Sequence, residues 1–113
     1  MLQKVKLENI LFLDIETVAQ QSEYSKLSED FKAHWEKKAS FIGKEKETPE
    51  EVYGRAGIYA EFGKIVCISV GFINIESGKK TLRLKSFAND DESILITDFF
   101  ELDIICINLN NKF

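Results

Sequence analysis

Ile10-Leu11-Phe12-Leu13-Asp14-Ile15-Glu16-Thr17 is the segment from which the rest of the chain can be placed. Five of its first six residues are large and apolar, and two carboxylates stand at i and i+2. A run that is apolar on both faces predicts a central, buried strand. Strand side chains alternate in direction, so Asp14 and Glu16 point the same way. Two acids side by side at the end of a buried strand repel each other and are costly to desolvate. A divalent cation is the simplest partner that offsets both costs.

Outward from this strand (residues 10–15), the composition turns polar as far as Ser25, which reads as a loop. Leu27, Phe31 and Trp35, with Tyr24 before them, fall at i, i+4 and i+8 with acids and lysines in the gaps. That spacing predicts an amphipathic helix over about 28–39. A lysine-rich connector follows. Thr48-Pro49-Glu50-Glu51 then starts a second helix: Thr48 as N-cap, Pro49 as first helical residue, Glu51 closing a capping box. This helix ends before Gly63. Residues 65–73 form a second strand rich in β-branched side chains, Glu76-Ser77-Gly78 a turn, and 81–87 an alternating hairpin partner near a sheet edge, with one wetter face. Asn89 to Glu92 opens a third helix, with Ile94, Leu95, Phe99 and Leu102 as its buried stripe. Residues 104–107 read as a fourth, short strand, and 108–113 as aperiodic. The expected architecture is α/β: a mixed sheet flanked by helices.

With 113 residues, 44% of them hydrophobic and nine of them Phe, the chain is the size of one small domain with a real core. One Pro and six Gly argue against disorder. Fifteen basic against nineteen acidic residues leave a net charge of −4, so no global footprint for duplex binding exists. A nuclease that holds phosphate through metal ions is not excluded by this balance. Cys67 and Cys106 form no CxxC pair and hence no zinc or disulfide pattern; Cys67 reads as a small core residue. No signal-peptide core precedes Glu8, and no apolar run approaches the ~18 residues of a membrane span. The expectation is a cytoplasmic protein with no membrane partner.

The Asp-Ile-Glu-Thr element after an apolar run resembles the first motif of the DEDD 3'-5' exonucleases, which have a ribonuclease H-like fold. More narrowly, the chain resembles the predicted 3'-5' exonucleases related to the exonuclease domain of family B DNA polymerases. Residues 11–18 carry the first likeness. Residues 31–39 (Phe-Lys-Ala-His-Trp-Glu-Lys-Lys-Ala) and 59–71 (Tyr-Ala-Glu-Phe-Gly-Lys-Ile-Val-Cys-Ile-Ser-Val-Gly) carry the second. The resemblance implies that Asp14 and Glu16 are catalytic and are two of four acidic ligands to magnesium or manganese. It places Glu16 near the terminal nucleotide, and Thr17 against the substrate through its backbone or hydroxyl. The implied partner is nucleic acid with a 3' end, single-stranded DNA first, cut by water attack on the terminal phosphodiester.

The family's second and third acidic motifs have no counterpart here, and Asp103 precedes an apolar stretch instead of following a strand. The expectation is therefore a single partial domain, C-terminally incomplete, with weak activity or none. Two alternatives remain. A haloacid-dehalogenase-like phosphatase would use Asp14 as nucleophile, although Glu16 stands where such enzymes have Asp and no Gly precedes Thr17. A non-catalytic module would bind a partner strand at an exposed sheet edge or self-associate.

Other residues read more simply as structure. His34, the single histidine, has no second His for a zinc site and reads as a surface or boundary residue. Trp35 and Phe31 are potential base-stacking platforms, but their helical spacing reads as core. Tyr53 and Tyr59 read as packing, and Lys37-Lys38 and Lys79-Lys80 as solvated faces. Gly54, Gly57 and Gly63 make no nucleotide fingerprint.

Overall fold

The hairpin shows local sequence dictating backbone most directly. Strand β2 (Gly63–Glu76) is rich in β-branched residues, and β3 (Lys79–Ala88) alternates apolar with polar. Between them Ser77 and Gly78 adopt φ of 49° and 77°. A tight two-residue hairpin turn requires both to be left-handed, and Gly78 has no Cβ to resist it. Glu76 pairs with Lys79, and the register runs on to Cys67 opposite Ala88. Strand β1 (Leu11–Ala19) completes a sheet of order β1-β2-β3. The computed structural model describes residues 5–109, with side chains inside the last helix described as far as 102. The chain divides into two compact units, Thr17–Lys64 and the combination of Met1–Glu16 with Ile65–Phe113.

The second of these units carries the sheet. Helix α1 of the other unit is Glu29–Ile42 and α2 is Pro49–Val52; the sheet unit's own helix is α3, Glu92–Leu109. Helix α3 starts where its acids predict. The Asp91 carboxylate accepts from the Ser93 and Ile94 amides at 2.9 and 3.2 Å, and Asn89 accepts from the Asp91 amide at 2.8 Å. Leu95, fully buried, packs with Ile68 and Val70, ringed by Phe87, Phe99 and Leu102. Leu95, Phe99 and Leu102 share one helical side. Ile94, expected in that stripe, is one residue out of phase and lies exposed.

The helix decides which sheet face is inside. Val70 pairs with Lys85 and Phe72 with Arg83, and directly opposed side chains share a face. Arg83 and Lys85 therefore lie on the side that α3 covers. Leu82 and Leu84 take the open side, where Leu84 is 72% exposed. Hydropathy alone would assign these faces the other way round.

Three further expectations are corrected. Strand β1 is neither central nor buried: it stands at the end of the sheet, and eight of its nine residues are exposed. Residues 104–107 are not a strand but belong to α3, because a short apolar run does not distinguish strand from helix and here it continues the helix begun at Glu92. The sheet is antiparallel over the described strands, not mixed; β2 and β3 are joined by a two-residue turn, which only antiparallel neighbours allow. Residues 110–113 of the aperiodic tail lie outside the described residues, whereas Asn108 and Leu109 belong to α3.

The unit Thr17–Lys64 is helical. The Ser28 hydroxyl caps α1 by accepting from the Phe31 amide at 3.4 Å. Thr48 caps α2 as expected: its hydroxyl accepts from the Glu51 amide, and the Glu51 carboxylate accepts from the Thr48 amide at 2.7 Å. Helix α2 lasts one turn and passes into a 3₁₀ stretch, Tyr53–Ile58, where Gly54 and Gly57 weaken helix propensity. Trp35 is the centre of this unit's core, with none of its surface exposed. Its indole Nε1 donates to the Pro49 carbonyl at 2.7 Å. Tyr53 and Phe62 meet it edge-on, with ring centroids 5.3 and 5.0 Å away. No helix among the described residues is long and apolar enough to cross a membrane.

Candidate metal centre

Leu11, Leu13 and Ile15 alternate with Phe12, Asp14 and Glu16 along β1, so the two carboxylates leave the strand on one side. Their Cα atoms are about 7 Å apart at the usual rise of a strand, within reach of a shared ion. Both side chains are exposed. The desolvation cost that burial would impose on them therefore does not arise, and burial does not compel a counter-ion. What the structure retains is their pairing: two hard oxygen donors of like charge, suited to magnesium or manganese. Among the described residues, no group of three or more His, Cys, Asp or Glu side chains is placed to hold a metal.

Thr17 follows Glu16 in the same strand, and its hydroxyl is engaged. It donates to the Gly57 carbonyl at 2.6 Å, which leaves the oxygen as an acceptor for any substrate. A second bond, from the Gln20 amide to the Phe62 carbonyl at 2.9 Å, fixes the segment just beyond β1. Gly57 is required for this approach: a Cβ there would lie 2.9 Å from the Val18 carbonyl carbon, with only backbone to yield. The role of Gly57 is to let the 3₁₀ stretch touch the end of β1, a long-range contact with no signature in local sequence.

A cleft of about 630 Å³ lies in the helical unit, lined by the end of β1 and the segment after it, Val18 to Tyr24, together with Glu50, Tyr53 and Lys64. Tyr53 donates its hydroxyl proton to the Gln21 carbonyl at 3.0 Å, which pins the loop to the core. Tyr24 donates to Glu36 at 2.7 Å, and that carboxylate pushes the phenol up to about 12. Asp14 and Glu16 do not line this cleft.

The residues read as packing behave so: Trp35 and Tyr53 are buried, and Tyr59 packs against the same core. His34 is exposed as expected. Phe31 departs from its reading as core, standing at the rim with its ring edge-on to Phe62. Cys67 is half-buried, its sulfur 3.9 Å from the Ser69 hydroxyl. No family model, curated protein or solved structure matches the chain.

Proposed function

We propose that this chain carries the first pair of metal-binding carboxylates of a 3'-5' exonuclease with a ribonuclease H-like fold, acting on the 3' end of nucleic acid. One observation carries the reading. Asp14 and Glu16 stand exposed on the same side of β1, directly after an apolar run and directly before an anchored Thr17. The motif's likeness to the DEDD exonucleases supplies the rest.

In this reading Asp14 and Glu16 offer anionic oxygens to magnesium or manganese. When bound, such ions lower the pKa of a water and neutralise charge building on the phosphate. Thr17, the residue after Glu16, is itself held by its bond to the Gly57 carbonyl. The four-acid set of the family is represented by two acids among the described residues, so affinity for the ions is weak and nucleotide release is slow or absent.

Manganese titration of the 113-residue chain, followed by electron paramagnetic resonance, tests this. Weak binding that disappears in the Asp14→Asn/Glu16→Gln double variant is expected. No binding at millimolar manganese, or binding indifferent to the double substitution, sinks the proposal. Capture of an aspartyl-phosphate on Asp14 would select the phosphatase instead. A second reading, an interaction module, is favoured by the exposure of Leu11, Phe12, Leu13 and Ile15 at a sheet edge. Stable oligomers without manganese affinity would select that one.

A further inference from the structure

Phe31, His34, Lys38 and Phe41 recur at i, i+3, i+7 and i+10 on α1 and so share one side of the helix. With Lys37, Glu61 and Phe62 they line an open groove of about 480 Å³ within the unit Thr17–Lys64. The core takes a different side of α1, where Trp35 and Ala39 are buried. Phe41 contributes nothing to that core and is 78% exposed, the most exposed large apolar side chain described.

The lining combines two chemistries. Flat apolar rings are spread along about 15 Å of helix between Phe31 and Phe41, with the His34 ring between them. Cations sit among the rings. Lys38 is held in place, its ammonium 3.0 Å from Glu61 and 4.5 Å from the Tyr59 ring centre. Lys37 beside it is exposed. Two lysines against one glutamate leave the groove positive within a chain of net charge −4. An apolar exposed patch rimmed by charge marks a binding surface, and rings interleaved with cations suit an anion that itself carries flat rings. Purely apolar peptides would leave the cations without a purpose, and a duplex would hide its bases from the rings.

We propose that this groove binds single-stranded nucleic acid, with bases stacking on Phe41, His34 and Phe31 and phosphates lying at Lys37 and Lys38. The site shares no residue with the Asp14–Glu16 pair and does not rest on the metal reading.

Fluorescence anisotropy of a labelled oligothymidylate nonamer with the 113-residue chain tests it. Saturable binding is expected, with a log–log salt slope of about −0.7, because Glu61 offsets Lys38 and one net positive charge remains to neutralise phosphate. Phe41→Ala should weaken binding roughly 5- to 150-fold, the effect of losing one stacked base. Lys37→Glu should weaken it and flatten the salt slope. Unchanged Trp35 fluorescence in both variants shows that the fold persists. The Asp14→Asn/Glu16→Gln variant should bind as tightly as the parent, so loss of the metal reading and loss of this one are separable. No binding at low salt, equal binding of a duplex of the same length, or indifference to Phe41→Ala overturns the proposal. So does displacement of the nonamer by an acidic aromatic peptide that binds more tightly, which would make the groove a protein site.

Discussion

Trp35 is the largest fully buried side chain described. It is wholly buried, its one polar atom is satisfied by Pro49, and two rings meet it edge-on. Trp35→Ala should cost about 3–5 kcal/mol, read as a drop in the urea midpoint by circular dichroism; a loss below about 1 kcal/mol would contradict this packing. Tyr24 makes a separate prediction. Its neutral phenol donates to Glu36, and its ionisation is pushed to about 12 from an ordinary 10. The folded value is the higher one, so the stability from this bond is present below pH 10 and is lost as pH rises from 10 through about 12. Absorbance titration at alkaline pH should show Tyr24 ionising late, and Tyr24→Phe should remove its contribution to the late phase.

At the scale of elements, β1 is the anomaly. Leu11, Phe12, Leu13, Ile15 and Val18 are each about half exposed, with Leu13 at 51%, on a strand that has one neighbour among the described strands. A long apolar edge strand offers unpaired backbone groups to another chain. Leu13→Lys should lower the concentration-dependent light scattering of the protein, whereas Leu84→Lys, on the open face of β3, should lower it less. Equal effects would place the liability on the sheet face rather than its edge. Capping works in the opposite direction, fixing structure locally. Thr48→Ala removes both the hydroxyl acceptor and the geometry of the capping box, and should cost about 1 kcal/mol in thermal unfolding. Glu51, held below its usual range chiefly by the Thr48 amide, contributes above its ordinary pKa and loses that contribution as pH falls through the lowered value.

For the molecule as a whole, charge sets the conditions under which the edge matters. The net charge is −4 at neutral pH and vanishes near pH 5.1. Self-repulsion fades on that approach, so scattering by the parent chain should rise as pH falls from 7 to about 5, and Leu13→Lys should blunt the rise. The same scale shows how much could be read beforehand. Caps, turns and strand alternation were legible because each is settled by a few neighbouring residues: Thr48 with Glu51, Asp91 with the amides after it, Ser77 with Gly78. The pairing of Asp14 with Glu16 on one side of a strand was legible for the same reason. Burial was not. Periodicity tells which side chains share a face, but not what that face meets. Only the tertiary arrangement put β1 at an edge, turned the Arg83–Lys85 side of β3 toward α3, carried residues 104–107 into a helix, and exposed Phe31 and Phe41 around a groove. Each of those outcomes depends on contacts between residues far apart in the chain, where the gain from covering one apolar surface competes with the gain from covering another.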